Sequence, residues 1–146
     1  MKLMKYLPVC LMVFSCSLSA QNKIEVKDAW ARPAAKGANS ALYCIIQNNG
    51  NKSDTLKSAE SMFAEEVQIH ESYKKDNDKM GMRQVKSLVL NSKSSAELKP
   101  GGFHVMLLGV KKDFKAGDPL NVTLQFRNSG KIKIKAVVRD APEAGK

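Results

Sequence analysis

The sequence predicts an all-β protein, folded as an antiparallel β-sandwich. Helical periodicity is nearly absent, and short runs rich in β-branched and aromatic residues are separated by Gly, Asn, Asp, Ser and Pro. The run from Lys131 to Ala136 alternates lysine with apolar residues, which is typical of a strand with one face on a core and the other in water. The part of the chain after residue 20 has about 125 residues, which is enough for two packed sheets.

The expected strands are eight or nine short runs separated by turn signals. In chain order they are IEVKDAWAR, SALYCIIQ before an Asn-Gly turn, DTLKSAES (the weakest), EEVQIHESY, MRQVKSLVL, AELKP, FHVMLLGV, PLNVTLQFRN and KIKIKAVVR. In EEVQIHESY the alternation puts Val67 and Ile69 on one face and Gln68 and His70 on the other. No internal repeat or linker divides these runs, so we expect one domain.

The first twenty residues have the layout of a secretory signal peptide. Lys2 and Lys5 form a basic start, an apolar run too short to span a bilayer follows, and small residues end it at Ala20. We therefore expect a signal peptide over 1–20 and an exported domain over 21–146. A rival interpretation remains open, because VFSC loosely resembles a lipobox and would leave a lipid anchor on Cys16.

Cysteine usage excludes a disulfide-stapled domain, because the expected mature chain keeps only Cys44. Cys44 lies in an apolar, strand-like run, where a buried small hydrophobe is the ordinary interpretation and a reactive thiol the alternative. Removing Lys2 and Lys5 from the 24 basic residues leaves 22 against 14 acidic ones, a net charge of +8. That charge is scattered, so we expect a solvated surface that could steer an acidic partner, and no nucleic-acid partner.

The residues with ligand chemistry are the two histidines, His70 and His104, and the methionines near them. Met106 follows His104 by two positions, so both side chains project from the same face of a strand. Met80 and Met82 follow His70 after a polar loop, and a sandwich could bring these strand ends together at one rim. Thioether sulfur is a soft ligand that favours Cu(I), although methionines in apolar strands are more often core residues.

The spacing of these residues resembles the motif of the PCuAC family of periplasmic copper chaperones. That motif is a His, about ten residues, a Met, 21 residues, and then His-x-Met. Here His70 precedes Met82 by eleven intervening residues, and 21 more separate Met82 from His104-Val-Met106. Met80 is the alternative to Met82, but it makes the longer interval 23 residues. DAWARP and LKPGGFHVMLLGVKKDFKAGDPLNVTLQF also resemble family segments, and we interpret Trp30 and Arg32 in the first as structural.

The resemblance implies a cupredoxin-like sandwich that binds one Cu(I) per chain through His70, Met82, His104 and Met106. It also implies a periplasmic carrier rather than an enzyme, working with Sco-type proteins to supply the binuclear copper site of cytochrome c oxidase. Some members have a His- and Met-rich tail that takes a second, oxidised copper. The tail APEAGK has neither residue type, so we expect a single site.

Two other functions stay open at this point. A blue-copper electron carrier needs a cysteine thiolate beside two histidines, and Cys44 is the only candidate in the expected mature chain. A metal-free sandwich module that docks another envelope protein is also compatible with the basic surface. No Ser-His-Asp order, phosphate loop or carboxylate pair indicates an enzyme.

Overall fold

Ten β-strands and one short 3₁₀ turn make up the described part of the chain. The computed structural model describes residues 23–142, so the predicted signal peptide and Cys16 lie outside the described residues. The strands are β1 Ile24–Ala31, β2 Ser40–Asn48, β3 Asp54–Glu60, β4 Ala64–Lys74, β5 Met80–Gln84, β6 Leu88–Leu90, β7 Ser94–Leu98, β8 Phe103–Val110, β9 Pro119–Phe126 and β10 Gly130–Val138, and the 3₁₀ turn is Asp76–Asp78. The predicted all-β class is confirmed.

The strands form one hydrogen-bonded path in the order β5-β4-β8-β2-β1-β10-β9-β3-β6, and β7 pairs with β2 beside it. All strand pairs are antiparallel except β1 with β10. A register shift between Lys27 and Trp30 interrupts β1, where Asp28 has φ = 51°. Beyond this bulge, Trp30 and Ala31 pair with both β2 and β10, so β1 joins the two halves of the sheet.

The path folds over on itself, so that β3 packs against β4 although the two strands are not hydrogen-bonded neighbours. One hydrophobic core fills the space between the halves, and alternate residues of each strand supply it. Its largest fully buried members are Phe126, Leu42, Ile46, Leu56, Leu90, Leu107, Leu120, Leu124, Val105, Val110, Val122 and Val138. The predicted cupredoxin-like antiparallel sandwich is thereby confirmed.

Most strands lie within a few residues of the expected runs, but two differences bear on the site. MRQVKSLVL is two strands rather than one, because β5 pairs with β4 while β6 pairs with β3. β4 continues past His70 to Lys74, since cross-strand pairing reaches as far as Lys74 opposite Met80. His70 and Met82 therefore lie within neighbouring strands and not at strand ends, so the expected meeting at a rim is wrong.

Cys44 belongs to the main core, with 2% of its surface exposed. Burial raises the pKa of its thiol to about 12, because a thiolate would lose its hydration there. The interpretation of Cys44 as a buried small hydrophobe is confirmed. Among the described residues, no helix has the length and apolar character needed to cross a membrane.

Candidate metal centre

The candidate site lies on the sheet face opposite the core. Alternation along β8 sends Val105 and Leu107 into the core and leaves His104 and Met106 on the outer face. The same alternation in β4 buries Ile69 and turns His70 outward. The predicted facing of both strands is correct, and it places the two histidines on one surface.

His70 and His104 are direct cross-strand partners in the antiparallel pair β4–β8. Their ring centroids are 5.8 Å apart, with the planes tilted by 58°. His104 is buried, with 2% of its surface exposed, and His70 is partly buried. Two residues that stand 34 positions apart in the chain are thus neighbours through strand register alone.

The turn before β8 fixes the orientation of His104. Gly101 adopts φ = 83°, which favours glycine, and the turn closes with Gly102 N–H donating to Lys99 O at 3.0 Å. The Gly102 carbonyl then accepts from Ser72 N–H at 3.0 Å and lies 3.1 Å from His104 Nδ1. Because a carbonyl can only accept, His104 Nδ1 carries the ring proton and Nε2 keeps its lone pair.

A hydrogen-bonded chain of three side chains fixes the tautomer of His70. Gln68 Nε2 lies 2.6 Å from Glu66 Oε1, so the amide nitrogen donates to the carboxylate. That orientation leaves Gln68 Oε1 as the acceptor of His70 Nε2–H at 2.7 Å. The proton of His70 is therefore on Nε2, and the lone pair on Nδ1 is free.

The two free ring nitrogens, His70 Nδ1 and His104 Nε2, are buried atoms with no hydrogen-bond partner. Buried polar atoms are normally paired, so two unpaired nitrogens on facing rings fit the donor atoms of a metal site. Burial lowers the pKa of His70, and the neighbouring His104 lowers it further. A lowered pKa keeps the imidazole neutral, which is the form that binds a metal ion.

Two thioethers share a cavity with one of the two histidines. Met82, Met106 and His104 line this cavity, whereas His70 packs beside His104 and is not among its lining residues. Met106 packs against Trp30, Ala41 and Tyr43, whereas Met82 is 51% exposed on the edge strand β5.

Met80 lies farther out than Met82. It pairs with Lys74, whereas Met82 pairs with Ser72, two residues closer to His70, and Met80 does not line the cavity. Met62 is far less enclosed, with 74% of its surface exposed, and lines a separate cavity with Lys133.

An aromatic platform under the site was not predicted as part of it. The ring centroids of Tyr43 and His104 are 6.2 Å apart, and those of Tyr43 and Trp30 are 4.6 Å apart. Arg32 stacks over Tyr43 at 5.9 Å, and Arg139 stacks over Trp30 at 4.8 Å. Trp30 packs as expected, but Arg32 also lines the cavity. Alternation in ALYCIIQ separates Tyr43 from Cys44 and could have indicated this platform.

The chemistry of the site depends on the thioethers. Within residues 23–142, no group of three or more His, Cys, Asp or Glu side chains could hold a metal ion. Zinc sites use thiolate, imidazole or carboxylate ligands, and calcium and magnesium prefer oxygen. Two neutral imidazoles with two thioethers instead suit a soft monovalent ion such as Cu(I). Cys44 lies on the core side of β2 and does not share this face.

Comparisons with known proteins agree with this architecture. Residues 24–138 match the family described as "Putative lipoprotein LpqE-like". The chain is 31% identical over 118 residues to "Putative lipoprotein Lxx21020" of Leifsonia xyli subsp. xyli, which covers 80% of this chain and 70% of the relative.

Solved PCuAC domains share the fold. The copper-bound PCuAC domain from PmoF2 superposes with a TM-score of 0.68 at 25% identity, over 82% of this chain and 94% of that domain. The apo PCuAC domain from PmoF1 gives a TM-score of 0.68 at 32% identity, over 82% and 95%. These matches confirm the resemblance to PCuAC proteins, and the chain belongs to the PCuAC-related LpqE-like family.

Proposed function

We propose that this protein is an exported copper carrier that binds one Cu(I) and releases it to a partner. Its ligands would be His70 Nδ1, His104 Nε2 and the sulfur atoms of Met82 and Met106. The observation that carries the proposal is the pair of orphaned ring nitrogens on facing histidines. Each ring is held by a hydrogen bond through its other nitrogen, and such outer contacts orient metal-binding histidines.

The ligand set suits reversible binding. All four ligands are neutral, so the bound ion would keep its single positive charge and would not be held by strong ion pairing. The His104 side is buried, whereas Met82 is half exposed on an edge strand. An incoming acceptor could therefore exchange first with the Met82 thioether while the two imidazoles still hold the ion. Binding and release, rather than catalysis, would be the function of this site.

The resemblance to PCuAC domains supports the finer proposals on compartment and partners. The relative described as a lipoprotein supports an envelope location, with export to the periplasm and a lipid anchor on Cys16 as the alternative to cleavage after Ala20. The acceptor would be a Sco-type protein or the binuclear copper site of cytochrome c oxidase. The copper-bound PmoF2 domain supports copper as the cargo.

A Cu(I) titration against a coloured competing chelator tests the proposal. The expected result is one Cu(I) per chain, with a loss of at least about tenfold in affinity for His104→Ala and for Met106→Leu. Ser95→Ala is the control, because Ser95 is an exposed residue of β7. This variant should bind Cu(I) with the affinity of the wild type. Unchanged affinity in both ligand variants would contradict the assignment. Protein isolated from the cell envelope without copper would favour a metal-free docking module.

A further inference from the structure

Among the described residues that line the cavity of the candidate copper site, Arg32 is the one with a permanent charge. Tyr43, Met82, His104 and Met106 line the same cavity. Apart from the guanidinium, the side chains that line it are neutral or are a histidine whose ring proton is already placed on Nδ1. The cavity proposed to bind a cation is therefore lined by a permanently positive guanidinium and by no carboxylate.

Two hydrogen bonds fix the backbone of Arg32 beside the cavity, while the residue itself is exposed. Its N–H donates to Ala41 O at 3.0 Å, and its carbonyl accepts from Ser40 Oγ at 2.7 Å. The guanidinium carbon lies 5.9 Å from the Tyr43 ring centroid, and that ring lies 6.2 Å from His104. Burial raises the pKa of Tyr43 while the charge of Arg32 opposes that rise, so the field of the guanidinium reaches this ring.

We propose that Arg32 is a specificity-determining residue whose fixed charge makes the site prefer monovalent to divalent copper. This inference rests on the proposed function. Coulomb repulsion is proportional to the charge of the bound ion, so Cu(II) is disfavoured twice as strongly as Cu(I). Arginine suits this role because its guanidinium stays protonated at every physiological pH.

The carboxylate of Glu66 does not cancel this charge at the cavity. Glu66 lies on the same face, but it accepts a hydrogen bond from Gln68 and is not among the cavity residues. Its contribution is also the same in every variant described below. A difference between variants at position 32 therefore reports the guanidinium alone.

The test compares Cu(I) and Cu(II) affinities for Arg32→Gln, Arg32→Lys and Arg139→Gln, each measured with competing chelators at low salt. A charge about 10 Å away predicts that Arg32→Gln raises Cu(I) affinity about threefold and Cu(II) affinity about tenfold. Arg32→Lys keeps the charge and should keep the wild-type ratio of the two affinities. Arg139→Gln removes the same charge one ring farther away and should change the ratio less.

The outcomes separate this inference from the proposed function. Wild-type protein that binds no Cu(I) would contradict both. Wild-type protein that binds Cu(I), with an unchanged affinity ratio in Arg32→Gln, would contradict only the role of Arg32. The role of Arg32 would also be contradicted if Arg32→Lys changed the affinity ratio as much as Arg32→Gln does. An equally large change of the ratio in Arg139→Gln would contradict it too. A fall of both affinities in Arg32→Gln would show that the residue is merely structural.

Discussion

His70 and His104 face each other across β4 and β8, with their rings 5.8 Å apart and one nitrogen of each ring held by a hydrogen bond. Their separation is set by strand register, so it is as rigid as the sheet itself. The orientations of both rings are already fixed in the structure without an ion. Binding an ion there would therefore cost little additional side-chain entropy. The thioethers then differ in exposure, with Met106 packed on the aromatic platform and Met82 on the open side.

The two methionines of β5 should differ sharply in their contribution to copper binding. Met82 lines the cavity with His104, whereas Met80 is one step farther out on the same face. Met82→Leu removes a sulfur at nearly constant volume, so we expect a loss of about tenfold or more in Cu(I) affinity. Met80→Leu is the matched control and should bind like the wild type. A Cu(I) competition titration of both variants shows which methionine contributes to binding. Equal losses of affinity in the two variants would contradict the choice of Met82.

Much of the fold could be predicted because its pattern is local. Strict alternation in the last strand separates Ala136 and Val138 from the lysines, and FHVMLLGV is a strand with the predicted bounds. The sequence could not show that MRQVKSLVL forms two strands, because both halves of this run contain residues that favour a strand. Only their different partners, β4 for one half and β3 for the other, separate them.

The candidate site could be predicted only in part. The two-residue spacing of His104 and Met106 places them on one face, and that follows from strand geometry alone. The direct pairing of His70 with His104 depends on register between strands far apart in the chain, which no local pattern encodes. Gln68 was identified only as a residue on the same face as His70, because a hydrogen bond between side chains two residues apart leaves no periodic signal.

Gln68 should position His70 without binding copper itself. Gln68→Leu removes the acceptor of His70 Nε2–H, so the ring can rotate or exchange its proton between nitrogens. Loss of such outer contacts typically costs about 10- to 100-fold in metal affinity. We expect a Cu(I) affinity lower by that factor and, in the apo protein, loss of the single His70 tautomer in ¹⁵N NMR spectra.

Gln47→Leu is the matched control for this change. Gln47 is also a partly buried strand glutamine, but its amide oxygen accepts from Lys27 on the neighbouring strand β1. Its replacement should leave both Cu(I) affinity and the His70 spectrum unchanged. A normal tautomer signal in Gln68→Leu would contradict the positioning role, even if copper affinity had fallen.

Stability of the copper-free protein should decrease as the pH falls through the histidine range. Burial, and secondly His104, lower the pKa of His70 in the folded state below the usual value of about 6.5. The unfolded chain then binds more protons, so the contribution of His70 is fully favourable above about pH 6.5 and is lost below it. Urea unfolding at pH 7.5 and 5 should show a larger fall for wild type than for His70→Gln. An equal fall in both proteins would contradict this account.

Asp54 should stabilise the hairpin between β9 and β10 without affecting copper. Its carboxylate accepts from the backbone N–H groups of Thr55, Asn128 and Ser129, and from Ser129 Oγ at 2.6 Å. Burial tends to raise its pKa, but these hydrogen bonds outweigh burial and lower the pKa.

Asp54→Ala leaves the buried Thr55 N–H and the partly buried donors of Asn128 and Ser129 without their acceptor. The free energy of unfolding should fall by about 1–3 kcal/mol at neutral pH. Asp113→Ala is the control, because the exposed Asp113 accepts only one such bond, from Lys36 N–H. Urea titrations measure both variants. Because Asp54 bonds to the turn between β9 and β10 and does not line the cavity of the candidate site, a changed Cu(I) affinity in Asp54→Ala would contradict its independence from the site.

Cys44 should be chemically silent while the protein is folded. Its thiol is buried in the core, and burial raises its pKa to about 12, so thiolate is scarce at neutral pH. Alkylation located by peptide mass spectrometry should leave Cys44 unmodified in native protein and modify it fully in guanidinium. Cys44→Ala should keep wild-type Cu(I) affinity at a stability cost of about 1 kcal/mol. An intense blue colour on adding Cu(II), absent from Cys44→Ala, would instead favour a thiolate copper site, which requires the core to open around β2.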